Sequence, residues 1–255
     1  ASDVYKRQAK QRCKKLTPMT SLADIETAQR QTADALSRIF KKGSLSFLGV
    51  HDVTASMKRL EIGAALSIEE LLHLAALLEV AKRAKAYSRN DRTEEAETSD
   101  SLDEFFDGIE PLTPLLEEIR RCIISSDEIS DDASSGLKAV RRSMKGMQDK
   151  IHSQMNSILN SASASGLLQD NVITMRNGRY CLPVKAEYRS QIQGMIHDQS
   201  SSGSTLFIEP LAVVNLNNEY KALLIKEKEE IEVILANLSN LTAGYSMQLH
   251  TDYNV

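Results

Sequence analysis

Hydrophobic positions recur with helical period along most of this chain and with period two over one short stretch. From Ser134 onward, Leu137, Val140, Met144, Met147, Ile151, Met155 and Ile158 are spaced 3, 4, 3, 4, 4 and 3. That spacing is a coiled-coil seam with one stutter. After Pro210, a residue suited to the first turn of a helix, the rhythm returns in Val213, Leu216, Tyr220, Leu223, Glu227, Ile231, Ile234, Leu238 and Leu241. Each stretch has a single apolar stripe and therefore needs a partner. The economical partner is the other stretch, running antiparallel.

Between the two stretches the period drops to two. Val172 to Arg176 and Arg179 to Ala186 flank Asn177-Gly178, the dipeptide best suited to a two-residue hairpin turn. Pro183 has no amide hydrogen, which predicts an edge strand or a bulge in the second run. Gln193 to His197 and Thr205 to Glu209 fit two further strands, joined by the Ser/Gly turn from Ser200 to Ser204. The expectation is one small antiparallel sheet, confined to residues 171–209, at the far tip of the helical hairpin. Such a sheet buries little by itself, and its projection points to a reaching or gripping element.

Toward the N-terminus the pattern predicts a helical core. Ser21 with Asp24 opens a helix that ends at Gly43, with apolar positions at Leu22, Ile25, Ala28, Ala35, Leu36, Ile39 and Phe40. A short helix fits His51 to Ile62, closed by Gly63. Ser67 and Glu70 form a capping box for a helix reaching Tyr87, whose broad apolar set (Leu71, Leu72, Leu74, Ala75, Leu78) predicts deep burial. Ser88 to Glu110 then carries two arginines against nine carboxylates, which reads as a solvated loop. A last core helix fits Pro114 to Ile124.

Composition narrows the class. Aromatics are 5% with no Trp, and there are eleven glycines and five prolines, which leads away from an all-β sandwich. The 26% of charged residues argues against wholesale disorder. A formal net charge of −4 provides no global basic field, so any hold on nucleic acid must come from a local patch. Cys13, Cys122 and Cys181 are odd in number and lack a CxxC pair, so neither a disulfide framework nor a Cys-rich zinc site is expected. No leader and no long apolar run are present, so the expectation is a cytoplasmic protein without a membrane partner. Residues 1–8 carry no capping signal, and the apolar period is still running near Leu241. A fragment of a longer protein is expected.

The local sequence of the tip is familiar. Asn177-Gly-Arg-Tyr-Cys-Leu-Pro-Val-Lys-Ala186, Gly194-Met-Ile-His-Asp-Gln-Ser-Ser-Ser-Gly-Ser-Thr-Leu-Phe-Ile-Glu-Pro210 and Asn217-Asn218-Glu219 resemble the lever-and-clamp region of the MutS family, in its type-two bacterial branch. Residues 171–235 carry the strongest match, and residues 14–165 are similar at a weaker level. The resemblance implies a mainly α fold: a helical core (1–133), an outgoing lever helix (134–170), a β clamp (171–209) and a returning lever helix (210–255). It also implies a homodimeric parent that binds branched or duplex DNA, or the ribosome and its RNA, and that suppresses recombination or rescues collided ribosomes. That parent would use ATP and Mg in an ATPase domain and carry endonuclease activity. None of this chemistry falls within the present residues, where no cofactor and no catalytic centre are expected. The alternative is a non-catalytic interaction or dimerisation scaffold.

Two groups of cations are candidate phosphate contacts. Arg176, Arg179, Lys185 and Arg189 belong to the tip, where Arg176 and Arg179 bracket the hairpin turn and suit phosphate oxygens without reading sequence. Lys138, Arg142 and Lys145 point away from the seam of the outgoing helix. With Arg141 and Lys150 they make residues 138–150 the most basic segment of the chain. His197, Asp198 and the serines at 200, 201, 202 and 204 lack a GxSxG elbow, and the histidines lack HExxH spacing, so neither a hydrolase nor a metal site is read there. The chain by itself is expected neither to bind ATP tightly nor to hydrolyse it, because its sequence contains no GxxxxGK[ST] loop. A steady-state ATPase assay checks this, and turnover clearly above background would overturn it.

Overall fold

Ser21, Ser67 and Ser134 each start a helix in the computed structural model of the chain, which describes residues 14–89 and 100–255. Ser21 Oγ accepts from the Asp24 amide (3.5 Å) and Ser134 Oγ from the Leu137 amide (2.9 Å). Ser67 and Glu70 form the reciprocal box: Glu70 N donates to Ser67 Oγ at 3.2 Å, and Ser67 N to Glu70 Oε2 at 2.8 Å. The chain divides into two units, Ala1–Ser130 with Val233–Val255, and Asp131–Glu232. Residues 233–255, assigned from sequence to the returning helix, therefore belong with the helical core.

The first unit holds α1 (Leu22–Lys42), α2 (Thr54–Glu61), α3 (Ile68–Arg89), α4 (Asp103–Asp107) and α5 (Thr113–Cys122). Its core joins Leu71, Leu74 and Leu78 of α3 with Met57 of α2 and Leu115 and Ile119 of α5, all buried. Helix α2 begins three residues later than expected. Asp52 accepts the Thr54 amide at 3.1 Å, while the His51 ring stacks on His73 with centroids 4.0 Å apart.

Three features depart from the expectations. Of the acidic segment, residues 90–99 lie outside the described residues, and the part from Asp100 is docked rather than solvated. Arg38 of α1 takes both oxygens of Asp100 and one of Asp103, each at 2.6 Å, beneath the Phe106 ring. A buried guanidinium is the counter-charge that composition alone does not reveal. Second, a two-stranded sheet, β1 (Ile123–Ser125) with β2 (Glu128–Ile129), lies outside the 171–209 limit. Ile123 and Ile129 are buried, and their apolar run merges with that of α5 in sequence. Third, the apolar stripe of α1 is largely open: Leu22, Leu36, Ile39 and Phe40 are exposed, and Arg38 is its buried residue.

In the second unit, α6 (Ser135–Ala164) and α7 (Val214–Ala243), thirty residues each, flank a four-stranded sheet, and α7 runs on into the first unit. The strands are β3 (Thr174–Arg176), β4 (Arg179–Lys185), β5 (Gly194–Gln199) and β6 (Thr205–Pro210), in the order β3-β4-β6-β5, all antiparallel. After α7 the chain adds α8 (Ser246–Asn254), with Leu249 buried. The part of the predicted seam nearest the sheet packs as a core: Ile151, Met155, Val213 and Tyr220 are buried together with Tyr180, Leu182, Val184 and Ile208 of the sheet. Contacts run in opposite order along the two helices, Arg141 to Glu227 and Gln148 to Tyr220, so they are antiparallel.

Pro210 does not open α7. It ends β6 in extended conformation, and a single 3-10 turn, Leu211–Val213, precedes the helix. Pro183 does not mark an edge either, since β4 lies between β3 and β6. Lys185, two residues on and facing the same way, donates to Leu167 O at 3.0 Å. The missing amide of Pro183 therefore faces the 167–169 segment, and the ladder to β6 keeps all its bonds.

The partly buried His73, stacked on His51, predicts that the first unit is sensitive to pH. Burial, and then the neighbouring His51 ring, hold the His73 imidazole below its ordinary value, against the opposing pull of Glu69 and Glu70. A folded-state value lowered in this way contributes stability above the unfolded value near pH 6.5, and that stability is lost as pH falls. The expected outcome is a melting temperature that drops between pH 7.5 and 5.5, with a shallower drop in His73→Gln. Calorimetry at four or five pH values measures it.

Candidate nucleic-acid interface

The tip is built around one turn. Asn177 and Gly178 have φ of 51° and 74°, the two positive values that a two-residue hairpin of this twist requires. Asn177 Nδ2 donates to His197 O at 3.1 Å, tying the turn to β5. Arg176 and Arg179 are cross-strand partners on either side of it. The structure gives them occupations of their own. The Arg176 guanidinium lies 3.9 Å over the Phe207 ring, with Nε 3.3 Å from Asp198. Arg179 is more deeply held: Nη1 donates to Glu209 at 2.7 Å, Nη2 donates to Asn218 at 2.6 Å, and its side chain is 17% exposed. Lys185 Nζ donates to Gly166 O at 3.0 Å beside the Tyr188 ring. Arg189 is exposed and has no carboxylate within ion-pair distance among the described residues. The four tip cations thus do not form one free cluster.

Along α6 the cations differ just as sharply. Lys138 pairs with Asp132 at 2.7 Å, and Asp132 holds its ammonium above the ordinary value. Arg141 turns into the seam, between Asp131 (2.6 Å) and Glu227 (2.7 Å). This also explains the one polar seam position, Glu227. Arg142, Lys145 and Lys150 are exposed, with no ion pair among the described residues. Lys150 shares the rim of an open groove of about 470 Å³ with Lys226 of α7, over a floor that includes Gly146, Met147, Ala222 and Leu223. Lys226 is not among the candidates read from sequence. Its signal is its place beside Glu227, on the flank of the seam.

The turn serines, His197 and Cys181 have surroundings of their own. The turn serines bond to one another, Ser202 to Ser204 at 2.8 Å, and His197 is committed to Glu209. Cys181 is fully buried, and burial, reinforced by Glu209, pushes its thiol up to about 12, too high for a thiolate nucleophile. No group of three His, Cys, Asp or Glu side chains is placed to hold a metal ion among these residues.

No family model matches the chain. Among curated proteins it is 54% identical over 248 residues to Endonuclease MutS2 of Agathobacter rectalis, covering 97% of the chain and 31% of that protein. Endonuclease MutS2 of Lachnoclostridium phytofermentans is 56% identical over 238 residues, 92% of the chain and 30% of that protein. Endonuclease MutS2 of Alkaliphilus oremlandii is 42% identical over 237 residues, 93% of the chain and 30% of that protein. The chain thus spans about 30% of the length of the curated relatives it matches. Identity at this level over 92–97% of the chain places it in the type-two branch of the MutS family.

Proposed function

We propose that residues 131–232 are the lever and clamp of a longer MutS-type ATPase, and that they hold nucleic acid through its phosphates. The observation that carries this reading is the set of cations Arg142, Lys145 and Lys150, exposed on α6 with no ion pair among the described residues, in a chain of net charge −4. Cations left without carboxylates on an otherwise acidic molecule are suited to backbone contacts, which position a duplex without reading its bases. Arg189, exposed in the segment between β4 and β5, is a further cation of this kind, while Arg179 serves the sheet itself. Paired helices transmit rotation at one end into displacement at the other, and this suits a part whose position answers to nucleotide state elsewhere.

The parent is taken to be a cytoplasmic homodimer with ATPase and endonuclease activity, acting on branched or duplex DNA or on ribosomal RNA. No helix among the described residues is long and apolar enough to cross a membrane. ATP and Mg are assigned to another part of that parent, since the present sequence contains no GxxxxGK[ST] loop. The competing reading is a protein-docking scaffold. The open groove between α6 and α7, with its apolar floor, is the feature that favours it.

Replacing Arg142, Lys145 and Lys150 by Ala is expected to weaken duplex binding equally across unrelated sequences. The slope of log K against log salt should flatten by about 0.9 for each phosphate that the variant no longer neutralises. Exposed substitutions of this kind move stability by only about 0.5 kcal/mol. Fluorescence anisotropy at four salt concentrations, beside a melting curve, makes the measurement. Unchanged affinity and slope would favour the scaffold.

A further inference from the structure

We propose that Glu209 is a positioning residue: it locks the four-stranded sheet to the start of α7, so that helix and sheet move as one body. Its relevance to grip rests on the nucleic-acid reading above; the joint itself does not.

Glu209 is fully buried near the end of β6. A carboxylate there costs several kcal/mol of lost hydration unless every lone pair finds a donor. Three donors converge on it from three different elements. Arg179 Nη1 of β4 and Asn217 Nδ2 of α7 both reach Oε1 at 2.7 Å, and His197 Nε2 of β5 reaches Oε2 at 2.5 Å. The ring nitrogen facing the carboxylate carries the proton and donates.

Each donor is held in turn. His197 is the extra residue of a bulge, since Ile196 pairs with Ile208 and Asp198 with Phe207. The bulge re-aims its side chain toward Glu209. Gly194 lets β5 lie close beside this point, because a Cβ there would come within 2.6 Å of Ile208 Cγ2. The β4–β6 ladder ends at Leu182–Ile208, and Pro210 has no amide to offer Tyr180. Asn217 takes over. Its Oδ1 accepts the Tyr180 amide at 3.2 Å, and its Nδ2 lies 3.3 Å from Tyr180 O, so a side-chain amide from the helix stands where a strand residue would. Asn218 receives the second Arg179 nitrogen.

Apolar contacts at Leu216 and Tyr220 also join α7 to the sheet, but such contacts are non-directional. Charge-assisted hydrogen bonds to one buried carboxylate fix an angle. His197, Glu209, Asn217 and Asn218 thereby acquire one shared role.

The test uses the whole chain carrying Glu209→Gln, with Asn217→Ala as a second variant that leaves the Arg179–Glu209–His197 contacts in place. Hydrogen exchange should show protection in β4 and β5 falling about tenfold or more, as expected when charge-assisted bonds are removed. The α6–α7 seam and the first unit should stay protected. Duplex affinity should fall about tenfold at every salt concentration while the salt slope is unchanged, because every phosphate-facing cation is still present. If Glu209→Gln does not fold, Asn217→Ala decides. Unchanged protection of β4 and β5 in the folded variants overturns the proposal, as does protection falling through α6 and α7 alike, which would make Glu209 a general stabiliser. A salt slope reduced by about 0.9 also overturns it, since the joint's side chains would then be touching phosphate. An unsubstituted chain that binds no duplex sinks the nucleic-acid reading alone, and exchange then decides on the joint.

Discussion

Two helices with one apolar stripe each govern the second unit. A thirty-residue helix covered on no side gains little from propensity alone and depends on burying its stripe. Met144, Met147, Ile151, Met155 and Ile158 on α6 meet that need partly on α7 and partly on Tyr180, Leu182, Val184 and Ile208 of the sheet. The sheet depends on the same contact. Four strands of three to seven residues cannot bury enough surface to stand alone, and their inner face is finished by the ends of the two helices. Neither part is therefore an appendage of the other. The polar rungs within the seam, Arg141 with Glu227 and Gln148 with Tyr180 and Tyr220, hold its register by direction where apolar contacts hold it only by area.

Much of this is legible in sequence because it is local or periodic. The seam follows from its 3,4 spacing, the hairpin from Asn177-Gly178, and the helix starts from Ser21, Ser67 and Ser134 with acceptors and amides three residues apart. What escapes is long-range pairing. Pro183 marks an edge only when the side its nitrogen faces is unknown, and Lys185 bonding to Leu167 settles that side. The acidic run from Asp100 reads as solvated until Arg38, sixty-two residues earlier, is found beneath it. In the candidate interface, a charge count treats Arg179 and Arg142 alike. Their difference lies in Glu209, thirty residues from Arg179, and no local pattern announces that contact.

That difference separates two uses of the same side chain. A guanidinium inside a folded tip is useful only when paired, since an unpaired buried charge is strongly destabilising. Once paired, it has surrendered most of its pull on a phosphate. A cation on an exposed helix flank retains its hydration and its field until a phosphate arrives, and counterion release then favours binding. The proposed clamp would need both properties, stiffness where the strands meet the helix and free charge where a ligand would lie. In this chain they are divided between different residues. Arg179, His197 and Asn217 surround one carboxylate at the base of the sheet, while Arg142, Lys145 and Lys150 have no ion pair among the described residues. The division follows from burial. Proximity to the hairpin turn makes Arg179 conspicuous in sequence, yet the same proximity places it against β6 and α7, where its charge serves architecture.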